Sequence, residues 1–444
     1  MPAELDNGSE GLNPFNNPAH VRPVEACADT LHATAESLVM RILPRGPLRN
    51  DGRAAFTAGA CVYLPPGYVD SGLAYPVLYL LHGGGGDQAD WVTYGGIQSI
   101  MDAAIAADAS NAAIVLMPDG ANAQWYDAFD GSVQNQRYLF DFLIPYVERH
   151  FHAIAGRDGR AIDGLSNGGY GALHFAAKRP DRFAVVGAMS SNLAALSFDG
   201  LAATQAPAFF HGSLPIDLAT NLDGLDLIMN IGTECITDQT RDNCLAFQFE
   251  QIFVPANRDF SARLAAVRGP GDGVLDYREG EGAHSWNWWP LWLRDGHLPF
   301  LLARLADPRP ASSPVPPTPT PRPSFRFRSV APDFAVWDYA VSVQRDVREF
   351  LDLRDVTADG LVVRGSGSAT IRTAARYAPH APYRVSGAGP VAQLVFADDD
   401  GRLALAVDLG PSHTLEQFTP AQIAAEAAGD YWVVRTIAIA AAED

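Results

Sequence analysis

A serine with glycines on both sides stands in the stretch DGLSNGGYG. Ser166 lies two residues after Gly164 and two before Gly168, which gives the pattern Gly-x-Ser-x-Gly. This pattern is typical of a nucleophile elbow, a sharp turn between a strand and a helix that presents a serine hydroxyl. Glycine lets the backbone turn without a clash from a Cβ atom. Because serine alone is a weak nucleophile, a base and an acid that orients the base must follow elsewhere in the chain.

The order of residues along the chain restricts the choice of the base. In hydrolases with this elbow the acid follows the serine and the histidine comes last. His284 follows a predicted short strand and precedes a predicted helix, whereas His297 lies inside that helix and is predicted to be structural. His211 precedes every candidate acid, so the order excludes it. We therefore predict that His284 is the base.

The acid has two candidate positions. Glu234 and Asp238 directly follow the predicted strand LDLIMNIGT, where the acid of such a site often lies. Glu250 lies farther along, in the stretch AFQFEQIF. Position alone does not decide between the first two carboxylates and Glu250.

A run of glycines, residues 83–86, follows another predicted strand in LLHGGGGD. Acyl transfer requires N–H groups that stabilise an oxyanion, and glycine backbone can approach a substrate closely. The N–H of Asn167, directly after the nucleophile, is predicted to be the second donor. His82 and Gly83 are predicted to border the substrate, with His82 shaping the loop.

Aromatic residues near these stretches are predicted to form the walls of the substrate pocket. They are Trp125 and Tyr126 in AQWYDAF and Trp286 in the histidine loop. Aromatic rings bind sugar faces and acyl chains well. The motifs CxxC and HExxH are absent from the sequence, so we expect neither a metal ion nor a cofactor.

Apolar runs alternate with helical patterns before residue 307, which predicts an α/β protein with a mostly parallel sheet. The functional loops of such a sheet lie at the carboxyl ends of its strands. The predicted strands lie in the stretches GACVYLPP, YPVLYLLHGG, AAIVLMPDG, RAIDGLS, FAVVGAMSS and LDLIMNIGT.

Proline density sets the predicted domain boundaries. Residues 307–324 are so rich in proline that we expect a stiff spacer without helix or sheet. Residues 55–306 form the predicted catalytic domain, and residues 1–54 an extension with the first strand or strands. Short alternating segments in residues 325–444 predict a small, mainly β domain with one helix.

Composition restricts the partners. The chain of 444 residues is 48% hydrophobic, as expected of a globular protein, and carries a net charge of −19. This charge disfavours nucleic acid and anionic membrane surfaces. No apolar run approaches the ~20 residues that span a bilayer, so no integral membrane segment is expected. A small-molecule or glycan ester suits the chain better, and the C-terminal domain is a candidate for contact with a cell surface or a polysaccharide.

Four cysteines leave the redox state open. Cys235 and Cys244 are spaced to close a short disulfide loop in an oxidising compartment, and four free thiols are the alternative. The first residues show no secretory signal. The proline-rich spacer is nevertheless typical of exported modular proteins, so we expect a secreted or envelope-associated protein, with a cytoplasmic location as the alternative.

An ordered set of motifs resembles the esterase D group of α/β-hydrolases, which includes feruloyl esterases, S-formylglutathione hydrolases and antigen 85 mycolyltransferases. Between residues 55 and 305 the set reads VYLPPGY, LLHGGGGD, MPDG, GLSNGGYGALHFAAKRPDRF, GTE and GAHSW. The resemblance implies an α/β-hydrolase fold and cleavage of carboxylic esters through an acyl-enzyme on Ser166. Water or an alcohol then accepts the acyl group.

The resemblance also bears on the acid. In the mycolyltransferases the acid is a Glu followed by Asn seven residues later and by Phe ten residues later, as Glu250, Asn257 and Phe260 are here. Ordinary esterases have the acid two positions after Gly-Thr, where this chain has Cys235. The resemblance therefore implies that Glu250 is the acid, with Glu234 and Asp238 in reserve.

The oxyanion loop separates the two branches of this group. By resemblance, the oxyanion donors are the N–H groups of Gly84 and Asn167. The chain has the esterase sequence His-Gly-Gly where the mycolyltransferases have Asp-Gly-Leu. Hydrolysis of acylated carbohydrates, aryl esters or small acyl esters is therefore the favoured function. Acyl transfer to a sugar or glycerol and an inactive surface-binding protein are the alternatives.

Overall fold

The structure is a computed structural model that describes residues 27, 36–42, 59–120, 124–193, 200–235, 244–269, 273–312 and 322–442. The chain divides into two compact units. The first unit comprises Met1–Ala176, Arg182–Phe198 and Gly224–Val315, and the second comprises Ala177–Asp181, Asp199–Asp223 and Pro316–Asp444.

This division differs from the predicted domain boundaries, which stay a prediction. Residues 199–223 and Ala177–Asp181 belong to the same unit as the C-terminal region, although both lie within the predicted catalytic domain. Hydrogen bonds give the reason, because the amide of Asn221 donates to the carbonyl oxygens of Ala177 and Arg328, each at 2.9 Å. The linear sequence contains no sign of this long-range pairing.

An eight-stranded sheet forms the centre of the first unit, in the order β1-β2-β5-β4-β6-β7-β8-β9. The pairs β1–β2 and β2–β5 are antiparallel, and the other neighbours are parallel. All six strands predicted from the apolar runs are present. The strands are β1 Leu38–Ile42, β2 Ala60–Leu64, β3 Leu73–Ala74 (outside this sheet), β4 Val77–Leu81, β5 Ile114–Pro118, β6 Arg160–Gly164, β7 Val185–Met189, β8 Asp226–Glu234 and β9 Leu275–Glu281.

Helices follow most of these strands. Two helices contain π-helical turns, at Tyr138–Leu143 and Leu293–His297. The α-helices are α1 Asp90–Thr93, α2 Ile97–Ala107, α3 Asn135–Arg137, α4 Ile144–His150, α5 Asn167–Lys178, α6 Gly200–Gln205, α7 Pro207–His211, α8 Cys244–Glu250, α9 Val254–Val267, α10 Trp289–Trp292, α11 Leu298–Leu302 and α12 Pro420–Ala427.

The central strands are buried along their whole length. Every residue of β2, β4, β5, β6 and β7 is buried. Continuous burial is expected where helices cover both faces of a parallel sheet, and it explains why these strands are apolar runs rather than alternating patterns. The carboxyl ends of β4, β6, β7 and β8 therefore deliver their loops to one edge of a rigid core.

The second unit contains two antiparallel sheets, ordered β11-β14-β15-β20-β17-β18 and β12-β13-β16-β19. In β13 the odd-numbered residues are buried and the even-numbered ones exposed, which is the period-two pattern of a half-buried strand. The prediction that residues 325–444 form a small, mainly β domain is confirmed, and α12 is the helix in the described part of that range. The strands are β11 Phe325–Ser329, β12 Asp333–Val336, β13 Tyr339–Gln344, β14 Leu351–Val356, β15 Gly360–Gly365, β16 Ser368–Arg372, β17 Pro382–Ser386, β18 Gln393–Phe396, β19 Ala404–Asp408 and β20 Val433–Ala441.

The proline-rich spacer begins with a short strand, contrary to the prediction that it forms no sheet. Strand β10, Arg309–Pro310, pairs antiparallel with β3. The N–H of Ala311 continues the pairing by donating to Gly72 at 2.9 Å. Proline is tolerated in so short a strand because it has no N–H to donate and an edge position does not require one. Residues 313–321 of the spacer lie outside the described residues.

No free cysteine is found in the part of the chain that the structure describes, so the alternative of four free thiols is wrong. Cys27 and Cys61 form a disulfide that joins residues 34 positions apart. Cys235 is disulfide-bonded as well. The side chain of Cys244 lies outside the described residues, so its predicted pairing with Cys235 stays a prediction.

Substitution of Gly187 in β7 is expected to destabilise the catalytic unit. A Cβ atom at this position would lie 2.3–2.6 Å from the carboxyl group of Asp163. This carboxyl group is fully buried and cannot swing aside. Gly187→Ala should lower the free energy of unfolding by about 1–3 kcal/mol, the usual cost of overpacking, measured by urea denaturation.

Gly280 in β9 provides the matched control, because a Cβ atom there meets nothing within 4 Å. Gly280→Ala should leave the urea midpoint close to that of the wild type. Equal losses in both variants would contradict the steric explanation.

Candidate active site

The turn between β6 and α5 holds Ser166 in a left-handed conformation, with φ at 54°. Its N–H donates to Met189 at 2.8 Å, which ties the turn to the end of β7. A Cβ at Gly164 would come within 2.5 Å of the backbone of Gly168, and one at Gly168 within 2.5 Å of the carbonyl oxygens of Leu81 and His82. Both flanking glycines are therefore required by close contact of backbones. This is the geometry expected of a nucleophile elbow.

The structure brings together the three residues predicted as nucleophile, base and acid. His284 Nε2 lies 2.9 Å from Ser166 Oγ, and His284 Nδ1 lies 2.6 Å from Glu250 Oε2. His284 and Glu250 are fully buried, and Ser166 is 7% exposed. A carboxylate is an acceptor, so Nδ1 carries the proton that it donates to Glu250. Nε2 can then accept the proton of the serine hydroxyl.

The second carboxylate oxygen of Glu250 is also bonded. Oε1 accepts from the N–H of Gly232 at 2.9 Å and from the hydroxyl of Ser190 at 2.7 Å. The indole Nε1 of Trp289 donates to the same hydroxyl at 3.0 Å. Ser190 was not predicted from the sequence. Its position at the end of β7, next to the elbow, is the only signal that sequence analysis offers.

Asn257 anchors the helix that follows the acid. Its side-chain amide donates to the carbonyl oxygens of Ser191 at 2.7 Å and Phe253 at 2.9 Å. The rings of Phe249 and Phe253 pack against the imidazole of His284 at centroid distances of 5.2 and 5.0 Å. The Glu-Asn-Phe spacing noted in the sequence thus corresponds to a helix anchor beside the acid.

The reserve acids were predicted from their position after β8. Glu234 is exposed at the end of β8. Asp238 lies outside the described residues. His211, excluded by chain order, pairs with Asp217 at 2.8 Å in the second unit.

A second buried histidine–carboxylate pair lies beneath the elbow. His297 Nδ1 is 2.8 Å from Asp163 Oδ2, and both side chains are fully buried. Asp163 Oδ1 accepts from the N–H of Gly164 at 2.7 Å, and His297 Nε2 lies 3.0 Å from Asn230 Oδ1. The second imidazole nitrogen of His297 thus faces an amide oxygen and not a nucleophile. This arrangement fits the structural role predicted for His297. Sequence analysis did not identify its partner, Asp163.

His82 fixes the orientation of the predicted oxyanion loop, residues 83–86. Its Nε2 accepts from the N–H of Gly120 at 2.9 Å, so the ring is neutral and Nδ1–H donates to the carbonyl oxygen of Gly83 at 2.7 Å. A trans peptide points its C=O and N–H in opposite directions. Holding the Gly83 carbonyl therefore turns the N–H of Gly84 the other way. Burial lowers the pKa of His82 from its ordinary value of 6.5, which favours this neutral form.

The predicted aromatic walls are buried residues. Trp125 and Tyr126 are 3% and 7% exposed, and the Trp125 indole donates to the carbonyl oxygen of His82 at 3.1 Å. Trp286 is 9% exposed and packs against Trp91 and Tyr94 at centroid distances of 5.1 and 5.6 Å. These rings support the loops around the site. Their contact with a substrate stays a prediction.

Neither a metal cluster nor a membrane helix is found among the described residues. No group of three His, Cys, Asp or Glu side chains there is arranged to hold a metal ion. No helix in the same part of the chain is long and apolar enough to cross a bilayer.

Comparisons with known proteins place the chain in a family. A solved structure of a ferulic acid esterase superposes with a TM-score of 0.50 at 20% identity, covering 62% of this chain and 100% of that one. Together with the sheet and the elbow, this likeness establishes the α/β-hydrolase fold. A family model described as a putative esterase matches residues 57–300, more than half of the chain. The protein therefore belongs to this esterase family, which confirms the resemblance seen in its motifs.

Two curated relatives match shorter segments. Esterase Rv1288 of Mycobacterium tuberculosis (strain ATCC 25618 / H37Rv) is 42% identical over 132 residues, which cover 28% of this chain and 27% of the relative. An endo-1,4-beta-xylanase/feruloyl esterase of Xylanibacter ruminicola is 36% identical over 138 residues, which cover 30% of this chain and 19% of the relative. The matched segments thus span about a quarter or less of either relative.

Removal of the Ser190 hydroxyl is expected to slow ester cleavage. Ser190→Ala takes one donor from the buried Glu250 carboxylate and leaves the Trp289 indole without its acceptor. A hydrogen bond to a charged group is worth about 1.5–3 kcal/mol, so kcat/KM should fall by about tenfold or more. Hydrolysis of p-nitrophenyl esters measures the effect.

Ser191 serves as the matched control, because its buried hydroxyl has no hydrogen-bond partner among the residues that the structure describes. Ser191→Ala should keep nearly wild-type kcat/KM. If Ser190→Ala were equally active, the hydroxyl would have no part in holding the acid.

Acidification is expected to destabilise the fold through His82. The unfolded imidazole takes up a proton near its ordinary pKa of 6.5, whereas the buried one stays neutral to lower pH. The unfolded state therefore binds more protons in this range, and the free energy of unfolding falls as the pH falls. His82→Asn, which cannot titrate, should lose less free energy of unfolding than the wild type between about pH 7.5 and about pH 5 in urea denaturation.

His380→Asn controls for the loss of a histidine as such, since the His380 side chain is 74% exposed. Its pH dependence should match that of the wild type. An unchanged slope in His82→Asn would show that the oxyanion loop does not depend on a neutral imidazole.

Proposed function

We propose that the protein is a serine carboxylesterase that hydrolyses esters through an acyl-enzyme on Ser166. The observation that carries this proposal is the continuous chain of contacts from Ser166 Oγ through His284 to Glu250, at 2.9 and 2.6 Å. Membership of the putative esterase family supports the same reaction class.

The reaction proceeds in two steps. His284 Nε2 takes the serine proton while Ser166 Oγ attacks the ester carbonyl, and Glu250 stabilises the imidazolium that forms. The N–H groups of Gly84 and Asn167 hold the negative oxygen. His284 then returns the proton to the leaving alcohol. Water attacks the acyl-enzyme in the second step, again with His284 as the base, and the carboxylic acid product is released.

The proposed substrates are acylated carbohydrates, aryl esters or small acyl esters. One curated relative carries the name feruloyl esterase, which supports an aryl acyl group. The Cys27–Cys61 disulfide supports an oxidising compartment, because disulfides persist outside the reducing cytosol. We therefore place the protein outside the cytoplasm.

Substitution of the acid tests the proposal. Glu250→Gln should lower kcat for p-nitrophenyl esters by about 10³-fold or more, because the imidazolium loses its counter-charge. Glu234→Gln, at the exposed end of β8, is the matched control and should keep nearly wild-type activity. Full activity of Glu250→Gln would refute the assignment of the acid, and activity of Ser166→Ala would refute the serine mechanism.

The same assay separates water from other acceptors. If the protein is a hydrolase, added trehalose or glycerol should not lower the yield of free carboxylic acid. Formation of an acylated sugar or glycerol at the expense of free acid would instead identify an acyltransferase.

A further inference from the structure

The residue after the nucleophile has a polar side chain with a fixed orientation. Asn167 Oδ1 accepts a hydrogen bond of 2.7 Å from Nδ2 of Asn192. Asn192 is anchored in turn, because its backbone N–H donates to the carbonyl oxygen of Ser166 at 3.0 Å and its side chain is 8% exposed. The amide nitrogen of Asn167 donates to no residue in the part of the chain that the structure describes. Its two N–H groups are thus turned away from Asn192 and are available.

This nitrogen lies against the oxyanion loop. A Cβ atom at Gly84 would come within 2.6 Å of Asn167 Nδ2, and one at Gly83 within 3.4 Å of the Cβ of Ser166. The Gly83–Gly84 peptide therefore runs alongside Ser166 and Asn167. The N–H of Gly84 belongs to this peptide, so it lies near both residues.

The helix geometry points in the same direction. Asn167 is the first residue of α5, and helical side chains tilt toward the N-terminus of their helix. The amide is therefore directed to the helix end at which the backbone N–H of Asn167 is also free. Asn167 is partly exposed and Gly84 is exposed, so a substrate can reach both.

We infer that the side-chain amide of Asn167 is a third hydrogen-bond donor to the oxyanion. This inference rests on the proposed function, since it takes Ser166 as the nucleophile. As Ser166 Oγ bonds to the ester carbon, the C=O π electrons move to oxygen and His284 takes the serine proton. The amide N–H keeps its own proton and stabilises the new negative charge.

Such a donor acts mainly on the transition state, because the carbonyl oxygen gains its charge only when the tetrahedral centre forms. Its loss is therefore expected to change kcat and not KM. Asn192 does not reach the substrate in this scheme. It is a positioning residue that holds Asn167 Oδ1 and thereby directs Nδ2.

Two substitutions in the full chain test the donor. Asn167→Leu keeps the shape of the side chain and removes the N–H groups, and Asn167→Asp replaces them with acceptor oxygens. Both retain the backbone N–H. Loss of one oxyanion donor costs about 10²–10³-fold in kcat, so kcat for p-nitrophenyl butyrate should fall to this extent while KM changes by less than about twofold. Wild-type kcat in either variant would overturn the inference.

Asn192→Ala separates a donor from a merely structural residue. It should lower kcat by a smaller factor than Asn167→Leu, because the freed amide still visits the productive orientation. The double variant should be no slower than Asn167→Leu alone, since Asn192 acts only through Asn167. Multiplicative losses in the double variant would overturn the inference.

The wild type and Ser166→Ala distinguish this inference from the proposed function. Absence of Ser166-dependent hydrolysis in the wild type would overturn both. An active, Ser166-dependent enzyme with undiminished Asn167 variants would overturn this inference alone.

Discussion

The left-handed backbone of Ser166 is the constraint on which the site depends. Such a conformation costs a non-glycine residue about 1–3 kcal/mol and persists only where its surroundings determine it fully. Here the serine N–H donates to Met189, and its carbonyl oxygen accepts from Tyr170 at 3.1 Å and from Asn192 at 3.0 Å. The flanking glycines let three backbone segments meet at the turn. The hydroxyl is consequently held toward His284 before any substrate arrives.

Two buried histidine–carboxylate pairs lie near this turn, and they differ in what the second imidazole nitrogen meets. In the pair His284–Glu250 this nitrogen faces the serine hydroxyl. In the pair His297–Asp163 it faces the amide oxygen of Asn230. The first arrangement can pass a proton to a reacting group, whereas the second closes on an amide and fixes the strand beneath the elbow. The same residue types are thus suited to proton transfer at one place and to fixing the backbone at the other.

Local patterns explain what could be predicted from the sequence. Continuous apolar runs indicate strands buried on both faces, and the Gly-x-Ser-x-Gly spacing indicates a turn that only glycines allow. His284 followed from chain order. The apolar runs and the glycine spacing depend on neighbours within a few residues, so the sequence displays them directly, whereas the prediction of His284 rests on residue order along the chain.

Partners brought together by packing could not be predicted in this way. Position in the sequence did not decide between Glu250 and the carboxylates after β8 as the acid, because the choice depends on how α8 and α9 pack. Only the family resemblance favoured Glu250. Ser190 and Asp163 find their partners 60 and 134 residues away. The assignment of residues 199–223 to the second unit likewise depends on long-range hydrogen bonds.

The disulfide between Cys27 and Cys61 has a consequence for the integrity of the chain. Cys61 lies in β2, within the sheet between β1 and β5. A single break of the backbone anywhere between the two cysteines would leave both pieces covalently joined. In oxidising surroundings a nicked molecule would therefore keep its leading segment, and reduction of the disulfide would have to precede its release.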